Sequence, residues 1–147
     1  MNYAEIIFYI LSSIGALLTI LIVYGAALKK RSLLLTGLFY YSFLPIIGES
    51  MGYLNTKAPH HILFIALFLI QLIIASIRNV SFDPNDSIQK QYAKRMGISL
   101  LLINASAAIF ILVISSSYPI YLGIFHTIIS LSLGYAILQR LRGKLTN

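Results

Sequence analysis

The chain has 147 residues, 59% of them hydrophobic and 10% charged, with a mean hydropathy of +0.86. No core of a soluble domain this size could hide so much apolar surface, which excludes a water-soluble globule and makes lipid the solvent. The formal charge of +7 would raise nucleic-acid binding in a soluble protein, but here the basic residues sit where topology signals sit, and no nucleic-acid partner is expected.

The apolar runs are continuous rather than alternating, which predicts helices and not strands. A membrane-crossing helix takes roughly 20 apolar residues. Five runs qualify, at about 6–28, 33–54, 61–77, 98–116 and 120–138. The expected fold class is all-α: a polytopic membrane protein, one domain over 1–147, built as a bundle of five transmembrane helices. The opening Met1-Asn2-Tyr3-Ala4-Glu5 has no basic leader and the run behind it is too long for a signal peptide, so span one is expected to be retained.

Span one carries a stripe of small residues, Ser12, Gly15 and Thr19, at helix-contact spacing. Lys29, Lys30 and Arg31 form the tight turn that follows. Span two holds more polar groups than any other, among them Tyr40, Tyr41, Ser42, Glu49 and Ser50, with a Gly48/Gly52 pair at GxxxG spacing. Pro45 is expected to kink or unwind it. Asn55-Thr56-Lys57-Ala58-Pro59 is a short turn whose proline suits the start of span three. His60 and His61 open span three as an interfacial pair. The rest of that span is almost uniformly apolar, as a lipid-facing helix would be.

The longest connection, 79–96, is expected to be cytoplasmic. Asp83-Pro84-Asn85-Asp86 reads as a turn, and Asp86 with Gln89 fits a capping box opening a short helix before span four. Read as one helix, 98–138 would extend about 60 Å, twice the hydrocarbon thickness. Ser115-Ser116-Ser117-Tyr118-Pro119 breaks it into two spans. Span five repeats the small-residue pattern with Gly123 and Thr127, and with Ser130 and Gly134. With no Trp in the chain, the interfacial belt falls to Tyr3, Tyr24, Tyr53, Tyr92, Tyr118 and Tyr121.

Ten of the eleven Lys and Arg residues lie on one side of the spans: Lys29, Lys30, Arg31, Arg78, Lys90, Lys94, Arg95, Arg140, Arg142 and Lys144, against Lys57. The positive-inside rule puts the amino terminus outside and the carboxyl terminus in the cytoplasm. The isoleucine-rich, cysteine-free composition fits the inner (plasma) membrane of a bacterium.

Intramembrane ionisable groups are costly, about 2.5–3.5 kcal/mol at a helix centre, and mark candidate function. Glu49 is six residues from Asn55 and His126 seven from Pro119, so counting from the helix ends places both roughly 10 Å deep. At one depth they are expected to pair, or to line a pathway for a proton, cation or small ligand together with Tyr41 and Ser50. Gln71 and Asn104 likewise share a depth and are expected to bond across spans three and four. Haem ligation by His60, His61 and His126 fails on depth, and a metal site lacks convergent ligands, so neither cofactor nor metal is expected.

No Ser-His-Asp set, phosphate loop or HxxxH pair argues for catalysis. The expected function is therefore a small non-enzymatic multi-pass protein, a subunit or accessory factor of a membrane complex. Its small residues (Gly15, Gly48, Gly52, Gly123, Ser130, Gly134) would meet other membrane subunits or copies of itself. The alternatives are a small transporter or channel protomer with a Glu49/His126 pathway, oligomeric because five helices enclose little space, and a membrane enzyme or redox module for a lipid or quinone.

Overall fold

The computed structural model of the chain describes residues 3–81, 83, 85–115 and 117–141. The expectations placed on Pro84, Ser116, Arg142 and Lys144 lie outside the described residues. All regular structure among those described is helical, and five helices are long and apolar enough to cross a membrane. They are α1 (Tyr3–Ala27), α2 (Arg31–Thr56), α3 (Pro59–Ser76), α4 (Ser87–Ile109) and α5 (Ile120–Leu141).

Two boundaries differ from the sequence reading. Residues 87–96 do not form a separate short helix but run straight into the fourth span, because nothing between Met96 and Ile98 interrupts the backbone bonding. Asp86 caps this helix by accepting from the Ile88 and Gln89 amides. Those two bonds hold its carboxyl below the ordinary carboxylate range. The Gln89 side chain reaches back to the amide of Asp83 instead of that of Asp86. At its far end α4 widens into a π turn, Phe110–Ile114, closed by the Ser115 amide on the Phe110 carbonyl. The second difference lies in α2, which stays helical through Pro45. The proline removes only the bond to the Tyr41 carbonyl, and packing on both sides of α2 keeps the helix intact.

Tight turns set the antiparallel order. After α1, Lys29 takes a left-handed conformation (φ 59°), with Lys29 and Lys30 amides bonding back to the Ala26 and Gly25 carbonyls. Arg31 starts α2, and its buried guanidinium bonds the Ile77 and Val80 carbonyls beyond the end of α3. A cation thus adds a second donor to the Ile77 carbonyl, which already accepts from the Val80 amide, and supplies one to the Val80 carbonyl.

The helices pack in the cyclic order α1, α2, α3, α4, α5, with α5 against α1, and so close a ring. The expectation that α3 faces lipid all round is corrected. His61, Phe64, Phe68, Gln71 and Ala75 form a buried stripe along it, spaced by three and four residues. Small residues make the seams. Gly25 lies against the Leu34 backbone, Gly37 against Ile22, Gly15 near Leu44 and Phe125, Gly123 against Leu112, and Gly134 beside Leu101. Ser130 bonds only its own helix, at the His126 carbonyl.

Gly48 is a correction to the sequence reading, since a Cβ built there meets nothing within 4 Å. The two glycines therefore answer differently to one methyl group. At Gly25 it would lie 2.5 Å from the Leu34 nitrogen, and Gly25→Ala is expected to lower stability by about 1–3 kcal/mol. Gly48→Ala is expected to leave stability level or raise it by roughly 0.5–1 kcal/mol through helix propensity. Thermal unfolding in detergent, followed by circular dichroism, distinguishes the two.

Candidate functional site

Hydrocarbon offers no partner to a polar side chain, so each one in the ring must find another. The chain meets this demand in two separate polar layers. At the end of the bundle holding the 57–58 turn, Glu49 of α2 accepts from His61 Nδ1 at 2.6 Å and from the Tyr118 hydroxyl at 3.0 Å. Thr56 gives its only proton to the Gly52 carbonyl, so it accepts from His61 Nε2 at 3.0 Å. His61 thus bridges Glu49 and Thr56 through its two ring nitrogens, with the geometry of a salt bridge on the Glu49 side.

Gly52 is what admits this ring. A Cβ there would fall 2.5 Å from the His61 Cε1 atom. His60 lies beside it, its ring 4.1 Å from that of His61 and 5.2 Å from that of Phe110. Burial first, then the Glu49 charge and its hydrogen bond, hold the Tyr118 phenol well above its ordinary range, so it stays a donor.

The second layer joins four helices. Ser42 Oγ donates to the Leu38 carbonyl, Gln71 Nε2 donates to Ser42 Oγ at 3.2 Å, and Asn104 Nδ2 donates to Gln71 Oε1 at 2.6 Å. His126 Nδ1 meets Asn104 Oδ1 at 3.0 Å. Gln71 and Asn104 are both 0% exposed and His126 is 4% exposed. Helix α1 is tied in separately, by a 3.1 Å bond between Tyr121 and Ser12.

The expected pairing of Glu49 with His126 is corrected. The glutamate bonds His61, whereas His126 packs edge-on against Tyr41 and beside Phe68. Tyr41 lies eight residues before Glu49, so the two groups are separated by about 12 Å along α2. Counting from helix ends failed because the ends are not level. Tyr118, just before α5, reaches Glu49, which lies seven residues before the end of α2. Tyr118, immediately before α5, is therefore within side-chain reach of a residue well inside α2 rather than at its end. Ser50 bonds the Ile46 carbonyl of its own helix and lies outside the cavity lining.

Between the layers the ring encloses a cavity of about 560 Å³, walled by all five helices. Five helices enclose ample space for a ligand, against the expectation from their length. The wall is mainly apolar and rich in aromatic rings, including Phe64, Phe68, Phe110 and Phe125. Glu49 and Tyr118 stand at one end, Tyr41 and His126 at the other. The π turn lets Phe110 and Ile111, adjacent in sequence, both face it. Its exposed lining lies on α1 (Ile7, Phe8), α2 (Gly48, Met51) and at Ser117, so it opens between α1 and α2 at the Glu49 end. There α1 leans on α5 through Ser12 and Phe8.

Among the described residues no cluster of three His, Asp or Glu side chains could hold a metal ion. Comparison with family models, curated proteins and solved structures finds no match to the chain.

Removing the middle of the second layer tests its weight. Asn104→Leu strands the Gln71 carbonyl oxygen and the His126 N–H, and is expected to cost about 1–3 kcal/mol. Ser132→Ala, which loses only a bond to its own helix at Ile128, is expected to change little. Unfolding titrations of the two variants in mixed micelles measure the difference.

Proposed function

We propose that this chain is a non-enzymatic multi-pass membrane protein that takes a small amphiphile into the interior of its own helix ring. It would act as a small carrier protomer with Glu49 and His126 at the two ends of its pathway. The observation that carries this reading is the single-chain cavity, whose volume of about 560 Å³ falls within the roughly 300–1,000 Å³ of ligand pockets. Its few polar groups stand at the ends of an apolar wall, the division an amphiphile needs. The reading as a subunit of a larger complex loses its main support, since Gly15, Gly25, Gly37, Gly52, Gly123 and Gly134 all face side chains or backbone of this same chain.

The distribution of basic residues supports an amino terminus outside, an orientation that would turn the Glu49 end and the mouth of the cavity outward. Because the chain has no cysteine, single introduced thiols report this directly. Ser117→Cys is expected to react with a membrane-impermeant maleimide on intact cells, and Asn85→Cys only after lysis. The reverse pattern would invert the bundle.

Uptake itself is tested with a fluorescent lipophile, N-phenyl-1-naphthylamine, against purified protein in nanodiscs, with protein-free nanodiscs as background. Gly48→Phe places a ring in the mouth without touching a helix seam. It is expected to weaken capture by about tenfold, equivalent to about 1.4 kcal/mol, at an unchanged melting temperature. Equal capture by the variant and the unaltered protein would refute uptake through this mouth.

A further inference from the structure

The second polar layer has a direction, and that direction is fixed from both ends. Backbone carbonyls only accept. The Leu38 carbonyl takes the Ser42 proton, so Ser42 Oγ must accept the Gln71 amide and turns Gln71 Oε1 toward Asn104. The Leu100 carbonyl takes a second bond from Asn104 Nδ2, at 2.9 Å, which fixes the same orientation of the Asn104 amide independently. Asn104 Oδ1 is thereby left facing His126, and Nδ1 of His126 must carry the proton it donates there. Its other nitrogen, Nε2, then holds a bare lone pair. A second proton on this ring would bury a cation with no carboxylate bonded to it, at a large desolvation cost. Among the described residues none bonds Nε2, and His126 lines the cavity while 96% of its surface is covered. An acceptor so placed is unsatisfied until something in the cavity donates to it.

Resting on the reading of the cavity as a ligand site, we infer that the ligand is a lipophile carrying a hydroxyl group, recognised by donation of that hydroxyl to His126 Nε2. The aromatic wall, with Phe68 and Tyr41 packed against the same imidazole, suits a ring-bearing body such as a phenol or hydroquinone-type lipid. The Glu49 layer, already internally bonded, is not the group that selects for the hydroxyl.

The test uses two probes of one shape, 4-octylphenol and its methyl ether 4-octylanisole, with full-length protein in nanodiscs. The phenol is expected to bind roughly five- to tenfold tighter than the ether, and His126→Phe to bring the two to equal affinity. Equal binding of both probes to the unaltered protein would overturn the hydroxyl assignment while leaving the cavity reading in place. Failure of both probes to bind would overturn the cavity reading itself. A preference that survives His126→Phe would assign the hydroxyl to another acceptor and also refute the inference. Should that variant fail to fold, the ¹⁵N resonances of the unaltered histidines decide. The phenol is expected to shift the bare Nε2 resonance and the ether to leave it in place, and a resonance unmoved by both refutes the contact.

Discussion

The need of each buried polar group for a partner, in surroundings that supply none, is the constraint on which the rest of this structure depends. In water Gln71, Asn104 and His126 could each be solvated on a separate helix. Inside an apolar ring they must meet, and meeting fixes the rotation and the depth of the helices that carry them. The Ser42–Gln71–Asn104–His126 chain does this for α2, α3, α4 and α5 at one level. Glu49, His61 and Tyr118 repeat it near one end. Individual bonds of this kind average about 0.6 kcal/mol between membrane helices. Their effect is therefore one of specificity more than of stability: a slide or turn of any one helix would break several at once.

The apolar residues then fill what the polar layers frame. Below the second layer Ile22, Ala26, Leu34, Leu35, Leu38, Ala75, Leu100, Ile129, Leu133 and Ala136 meet in a buried apolar core, interrupted only by a small pocket of about 60 Å³ beside Arg31 and Arg140. The close contact of Gly25 with the Leu34 backbone draws α1 onto α2 at this end. Arg31 locks the same end by bonding carbonyls beyond α3, so its charge serves the fold. At the other end α1 is attached to α5 through Ser12 and Phe8, and the exposed lining of the cavity lies on α1 and α2.

Much of this was legible in the residues. Helix count, the turn at Pro59, the break before Pro119 and the Asp86 cap follow from local chemistry, which acts over a few positions and is written in the sequence there. The meeting of Gln71 and Asn104 also followed from depth, since their helices are joined by adjacent ends. The partner of Glu49 did not. Depth was counted from helix ends assumed to be level, whereas Tyr118, immediately before α5, reaches a residue well inside α2. His61 was read as interfacial for the same reason, because α2 extends past the point where the ring closes. A signal for its burial was present: His61, Phe64, Phe68, Gln71 and Ala75 share one face of α3, and polar residues on a shared face of an apolar helix point inward. Gly48 and Gly52 illustrate the remaining limit. Spacing alone cannot tell a glycine that admits a neighbour from one that leaves a gap.

Why the ring does not collapse onto its own cavity is answered by the same two layers. Each holds its helices at a separation set by side-chain hydrogen bonds, at two levels about 10 Å apart on α2, from Ser42 to Glu49. Between those levels α2 presents Pro45 and Gly48, a short ring and no side chain at all. The facing helices contribute Phe64, Phe68, Phe110 and Phe125, whose flat rings line a wall but cannot reach across it. Closing the space would require α2 to move inward and break Glu49 from His61 or Ser42 from Gln71, leaving charged or polar groups unpaired in hydrocarbon. That penalty, about 1–3 kcal/mol for each neutral group and more for the ion pair, outweighs the dispersion gained at a few new carbon contacts of about 0.1–0.2 kcal/mol each. The cavity is thus held open by polar bonding around it, and His126, which that bonding leaves with a free Nε2, faces into the space.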